Sequence, residues 1–226
     1  PDVFQANDRK RAIAARAPAR AEAGLPDRAF VFCAFGNSYK ITPAVFGVWM
    51  RLLQGCDGSV LWLLGGETAT VDNLRREARA RGMDPERLAF APRLPYAQHL
   101  ARYQLADLFL DTLPFNGGAT VSDALWAGLP VLTCAGEAMA ARMAGSLLRA
   151  VGLPELVTAS LANYEATAAL LAREPGRLAA LKATLARNRD TCPLFDTQRH
   201  CRHLEAAYAA MHERQRRGAA PESFAV

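Results

Sequence analysis

The residues best suited to chemistry lie in Leu105–Gly128, which reads LADLFLDTLPFNGGATVSDALWAG. A short apolar run, Asp107–Asp111, enters a turn of small residues, Pro114–Thr120, and then a helical segment, Val121–Ala127. Strand, loop and helix in that order make an anion site. The first N–H groups of a helix have no partner within it, and the helix dipole is positive there. Gly117 and Gly118 let a phosphate come close to the backbone. Asp123, one turn into the helix, does not help bind phosphate but can accept hydrogen bonds from a ribose. Loop and acid together predict a nucleotide or a nucleotide sugar.

Such a loop needs a sheet to hold it. Six apolar runs meet that need: Ala29–Phe35, Ser59–Leu64, Leu88–Ala91, Asp107–Asp111, Pro130–Thr133 and Leu156–Thr158. They recur about every 25 to 30 residues, the length of a β-α unit. They are continuous rather than alternating, as in a parallel sheet buried on both faces. Helices are expected between them, at Thr42–Gln54 (a threonine cap followed by proline), Val71–Arg81 (stopped by Gly82), Tyr96–Tyr103, Val121–Ala127 and Ala140–Val151. The fold class is therefore α/β, a Rossmann-like doubly wound parallel sheet. Beyond Thr158 the pattern is helical, at Leu161–Arg173, Gly176–Asp190 and Thr197–Arg217, with a turn at Pro193. The expected division is a linker or N-terminal arm over 1–28 and a nucleotide-sugar-binding domain over 29–160. A C-terminal helical extension follows over 161–217, and a disordered tail over 218–226.

Composition narrows the function classes. The 226 residues are 51% hydrophobic, enough for a sizeable core. The net charge of +5 gathers at the ends, in Arg9, Lys10 and Arg11 and in Arg214–Arg217. No basic stripe interleaves with aromatics, so no nucleic-acid partner is expected. Five irregularly spaced cysteines do not make a disulfide framework, and a reducing cytoplasm is the expected compartment. No signal-peptide pattern and no apolar run of membrane length is present, so no membrane partner is expected.

Ligands of doubly wound sheets bind beyond the carboxyl ends of the strands. The loop after the first strand carries Asn37, Tyr39 and Lys40. Lys40 there can stabilise charge growing on a departing diphosphate, though taken alone it also fits a solvated surface lysine. His99 can pack on a base or hydrogen-bond it, and Arg102 follows one turn later on the same face. A lone helical histidine is otherwise a surface group, and Asp123 otherwise a dipole-stabilising acid. Trp126 reads as core. Cys192, His200, Cys201 and His203 match no structural zinc spacing, and no metal site is expected. No nucleophile elbow, Walker loop or complete G-x-G-x-x-G is present.

Four ordered stretches carry a family resemblance. FVFCAFGNSYKITPAVFGVWMRLL, GSVLWLL, RLAFAPRLPYAQHLARYQLADLFLDTLPFN and SDALWAGLPVLT resemble the C-terminal catalytic lobe of the O-GlcNAc transferase and Spindly-like family, and PLFDTQRHCRHLEAAY resembles its ending. The resemblance spans about Asn7 to Tyr208. It implies a GT-B fold of two Rossmann-like lobes, with the donor held mainly by the C-terminal one. It implies inverting, metal-independent transfer of GlcNAc from UDP-GlcNAc to protein Ser or Thr, without a cofactor. It also implies a protein acceptor, an N-terminal catalytic lobe and tetratricopeptide repeats as partners. Carried over by position, Lys40 is the lysine near the donor diphosphate and Asn37 falls near the phosphates. His99 and Arg102 match the H-x-x-R helix near uracil, and Asp123 matches the ribose acid. Tyr96 stands where some members have a lysine touching the ribose.

The phosphate loop departs from the family pattern N-x-H-T-T-x-x-D-x-L-W-x-G. Here it reads Asn116, Gly117, Gly118, Ala119, Thr120, Val121, Ser122, Asp123. Gly118 replaces the histidine and Ala119 the first threonine, while Thr120 is kept. A hydrogen bond to a charged group contributes roughly 1.5–3 kcal/mol, so losing two weakens donor binding by about 10² or more unless backbone donors compensate. The leading expectation is a UDP-GlcNAc-dependent donor-binding lobe. The alternatives are GDP-fucose as donor, as in the Spindly branch, or a non-catalytic nucleotide-binding or scaffold module.

Overall fold

The computed structural model describes residues 2–5 and 7–226. Six strands form one parallel sheet: β1 (Val31–Ala34), β2 (Val60–Leu64), β3 (Leu88–Ala91), β4 (Leu108–Leu110), β5 (Val131–Cys134) and β6 (Val157–Thr158). Their spatial order is β3-β2-β1-β4-β5-β6. The chain therefore winds outward from β1 in one direction, returns, and winds outward from β4 in the other. Strands β1, β4 and β5 are buried at every position, because helices cover both faces of the sheet. The six apolar runs are all strands; β3 has its expected bounds, β5 is shifted by one residue to end at Cys134, and the other four are trimmed by one to three residues.

Among the described residues eight α-helices complete the layers: α1 (Pro43–Gly55), α2 (Thr68–Ala80), α3 (Tyr96–Arg102), α4 (Ala119–Trp126), α5 (Met143–Ala150), α6 (Leu161–Arg173), α7 (Pro175–Asn188) and α8 (Thr197–Arg216). The cap of α1 forms as its sequence requires. Thr42 Oγ1 accepts from the Val45 N–H at 3.3 Å, and Pro43 takes the first helical position. Ser160 and Asp196 cap α6 and α8 in the same way. Gly82 after α2 and Gly128 after α4 adopt φ of +72° and +86°, a left-handed turn that a side chain disfavours.

Two flanking segments of the expected division pack against the sheet domain. Helix α6, the first of the C-terminal helices, is one of them. It packs on α1, where Trp49 Nε1 donates to the Tyr164 hydroxyl, which donates in turn to the Asp111 carbonyl at 3.0 Å. That carbonyl ends β4, so α6 braces the strand that delivers the phosphate loop. The N-terminal segment is a docked arm. Val3 and Leu25 are buried, Trp126 Nε1 donates to the Arg11 carbonyl, and Arg20 reaches the Leu105 carbonyl and the Asp107 carboxylate. Residues 219–226 are exposed and carry no regular structure. Among the described residues no helix is long and apolar enough to cross a membrane. The five cysteines are free, and four of them are buried.

Candidate functional site

The sheet order puts the ends of β1 and β4 side by side at the point where the winding reverses, the usual ligand crevice of such folds. Lys40 follows β1 and the phosphate loop follows β4. Lys40 Nζ donates to the Asn116 carbonyl at 3.1 Å and lies 4.0 Å from the centre of the Phe115 ring. Its cation therefore stands over the loop.

At the phosphate end a residue absent from the sequence-based set organises the loop. Asp111 is buried just past β4, and its carboxylate points inward. One oxygen accepts from the Gly117 N–H and the other from the Thr133 hydroxyl, both at 2.7 Å. Burial pushes its pKa up to about 7, against the pull of those hydrogen bonds and of the Lys40 charge. An acid closing an apolar run was the available signal. Gly117 cannot be replaced without rearrangement, since a Cβ would lie 2.5 Å from Thr120 Oγ1 and 2.8 Å from Val121 Cγ2.

Helix α4 starts at Ala119, two residues before the expected Val121. The N–H groups of Ala119 and Thr120 thus fall in its first turn and find no acceptor among the described residues. Two expected contacts need correction. The Gly117 N–H is held by Asp111 and is not free for a phosphate. Asn116 is fully buried, its amide donating to the Thr112 carbonyl, so it braces the loop rather than facing the crevice.

The altered loop has its own packing. A Cβ on Gly118 would lie 2.8 Å from Met143 Cε, 3.7 Å from Gln5 Oε1 and 3.9 Å from Phe4 Cζ. Met143 and the arm therefore occupy the space beside the missing histidine, whereas Ala119 is exposed. We expect Ala119→Thr to tighten UDP binding about tenfold in isothermal titration, one new donor to a charged group. Gly118→His gains affinity only together with Met143→Ala, which clears the Cε. Equal affinities across parent and variants would show that this loop does not touch the diphosphate.

The nucleoside end is a cleft of about 310 Å³ bordered by Phe35, Asn37, Tyr96, His99, Thr120 and Asp123. Thr120 also borders the small hollow below Lys40 and so joins the two ends. Asn37 is exposed at the rim, 3.4 Å from the Tyr39 hydroxyl. Half-buried His99 packs against Phe35 and Tyr103, with ring centroids 5.7 and 5.1 Å away. Burial and the adjacent Arg102 charge lower its pKa to about 4, so the ring is neutral at pH 7. The guanidinium can only donate, so His99 Nδ1 accepts from it and Nε2 carries the proton. This orients a neutral N–H donor for a base.

Arg102 borders the same cleft as His99, one turn along the helix. It is 2% exposed, donates to the Pro92 carbonyl and stacks 4.4 Å from the Phe35 ring centre. Burial lowers its pKa, and its work is to fix the His99 ring. Asp123 is 9% exposed, and one of its oxygens accepts from Tyr96 Oη at 2.7 Å and from Arg11 Nη1 at 2.6 Å. Tyr96 thus hydrogen-bonds directly to Asp123. No local sequence signal pointed to Arg11. Among the described residues no three His, Cys, Asp or Glu side chains are grouped to hold a metal ion.

Comparison with known proteins gives the family and the fold of its relatives. The chain is 39% identical over 210 residues to a probable UDP-N-acetylglucosamine–peptide N-acetylglucosaminyltransferase, SEC, of Arabidopsis thaliana, covering 92% of this chain and 22% of that protein. A UDP-N-acetylglucosamine–peptide N-acetylglucosaminyltransferase of Caenorhabditis elegans is 37% identical over 88% of this chain and 17% of its own length. The SPINDLY protein of Solanum lycopersicum is 32% identical over 84% of this chain and 21% of its own length. The chain thus spans about a fifth of these relatives. A mutant O-GlcNAc transferase of Thermobaculum terrenum superposes with a TM-score of 0.79 at 35% identity, over 88% of this chain and 38% of that one. Sucrose-phosphate synthase of Thermosynechococcus elongatus shares the fold alone, at 16% identity, a TM-score of 0.60, and coverage of 86% of this chain and 48% of its own. The model of glycosyl transferase family 41 matches residues 6–204, a span holding every strand and both ends of the crevice, and the chain belongs to that family.

Proposed function

We propose that this chain is the donor-binding lobe of a protein O-GlcNAc transferase-like enzyme, which moves GlcNAc from UDP-GlcNAc to a protein Ser or Thr with inversion. The observation that carries the reading is the shared crevice. Lys40 and the free amides of α4 stand at one end, and His99 and Asp123 at the other, spaced by Thr120. That arrangement suits a nucleoside diphosphate. The diphosphate lies against the cation and the helix start, the base against the neutral His99 ring, and the ribose hydroxyls against Asp123. Lys40 and the amides meet the charge that grows as the sugar–phosphate bond breaks, so the proposed reaction draws on no metal and no cofactor. The acceptor protein, the general base and the upstream repeats belong to parts of the enzyme outside these residues. The unpaired cysteines fit a reducing compartment such as the cytoplasm.

A second reading is a binding module without turnover. The loop favours it, because Gly118 and Ala119 supply no side-chain donors and Phe4 and Gln5 crowd the vacated space. Calorimetric titration of the chain with UDP, UDP-GlcNAc, GDP and GDP-fucose separates these readings. Binding of the uridine pair supports the proposal, and binding of the guanosine pair shifts the donor to GDP-fucose. No binding at millimolar concentration favours a scaffold module that acts through partner contacts and has lost the donor site.

A further inference from the structure

The N-terminal arm reaches the crevice at Arg11, and the contact is closely built. Arg11 Nη1 donates to Asp123 Oδ1 at 2.6 Å, and Nη2 donates to Ser122 Oγ at 3.3 Å. Its guanidinium carbon lies 5.4 Å from the ring centres of both Trp126 and Phe195. Its own carbonyl accepts from Trp126 Nε1 at 3.0 Å. The Arg11 and Asp123 side chains are each 12% exposed. A guanidinium packed against two aromatic rings and anchored through its backbone is a fixed donor rather than a solvated charge.

The pairing is one-sided. Arg11 and Tyr96 both donate to Oδ1 of Asp123, and Oδ2 has no hydrogen-bond partner among the described residues. Asp123 borders the nucleoside cleft. We infer that Arg11 is a positioning residue of the nucleoside site: with Tyr96 it pins one oxygen of Asp123 so that the other is presented, preoriented, to the hydroxyl pair of a ribose. The inference rests on the donor-site reading above. It adds to that site a residue 112 positions away in sequence from the acid it orients. The physical gain is preorganisation. A carboxylate held in one rotamer loses less freedom when a diol binds than one free to turn. The arm thus takes part in recognition.

The test is a titration of the chain with UDP and GDP, each beside its 2′,3′-dideoxy counterpart, which lacks both hydroxyls. In the parent, the ribonucleotide that binds should do so about tenfold or more tightly than its dideoxy form. Arg11→Ala should erase most of that preference by weakening the ribonucleotide about tenfold while leaving the dideoxy form unchanged. Tyr96→Phe, which leaves the arm untouched, should reduce the same preference. Adding Arg11→Ala to Asp123→Ala should change nothing further. Equal weakening of both nucleotide forms by Arg11→Ala, with Tyr96→Phe silent, would overturn the inference and leave Arg11 a structural anchor. Tighter ribonucleotide binding in Arg11→Ala would also overturn it, since Arg11 would then compete with the ribose. A parent that binds a ribonucleotide without preference over its dideoxy form, or binds neither, fails at the donor-site reading itself and takes the inference with it.

Discussion

Lys40→Ala is expected to lower kcat about 10²–10³-fold, measured with UDP-GlcNAc and a protein acceptor in a protein that carries both lobes. The size of the effect follows from where the charge develops. As the bond between sugar and diphosphate breaks, negative charge collects on the departing phosphate. The Lys40 ammonium is held over that end of the crevice by the Asn116 carbonyl and the Phe115 ring. Removing a cation preplaced at the developing charge raises the barrier to the chemical step more than it weakens the ground-state complex, so kcat should fall by more than KM rises. The fold should be little affected, because Lys40 is only partly buried and its partner is a single carbonyl, and the melting temperature should stay near that of the parent. An unchanged kcat would remove Lys40 from the mechanism. A fall in stability matching the fall in activity would make it a loop brace.

Asp111→Ala is expected to cost about 3 kcal/mol or more of stability, read from the denaturant midpoint. The substitution strips the acceptors from two buried donors, the Gly117 N–H and the Thr133 hydroxyl, and each donor so stranded costs about 1–3 kcal/mol. The Gly117 bond also sets the turn that enters α4, so nucleotide binding should be lost along with the stability. Asp111→Asn separates charge from hydrogen bonding, because its amide can still accept from Gly117 and meet Thr133. The pH dependence gives the sharper test. The folded Asp111 pKa, raised to about 7, lies above its ordinary value of 3.8. Between those values the folded chain binds more protons than the unfolded one. The stabilising contribution is therefore complete below about pH 4 and is lost as pH rises through 7. Half-buried His99, lowered to about 4, acts oppositely. Its contribution is complete above about pH 6.5 and is lost as pH falls towards 4. Comparing the parent with Asp111→Asn cancels the His99 slope. The parent should lose up to about 4 kcal/mol relative to the variant between pH 4 and 8. Parallel stability curves would show that Asp111 is not the group that titrates.

The expected and observed structures agree where the governing physics is local. Strand β3 and helix α6 have their expected bounds, because a continuous apolar run and a capped period-3.6 segment are decided by near neighbours along the chain. Helix α4 begins early because Ala119 and Thr120, which follow the glycine cap, are small residues with no apolar period to mark them. Arg102 illustrates the limit in the site. Its spacing from His99 correctly paired the two, but spacing alone could not reveal that one lies beneath the other. The arm illustrates it further, since a charged, alanine-rich segment has no periodicity to betray a docked course.

By itself, then, the sequence determined the alternation of strands and helices, the glycine turn between β4 and α4, and a lysine in the loop after β1. Each is written in residues adjacent along the chain. Tertiary structure alone decided that β1 and β4 are neighbours, which carries Lys40 over the phosphate loop. It decided that Asp111 turns inward to tie that loop, and that Arg11 crosses to Asp123. Those pairings arise from strand order and from burial of the remaining partners, and a hydrogen bond between residues more than a hundred positions apart leaves no periodic trace in the chain that makes it.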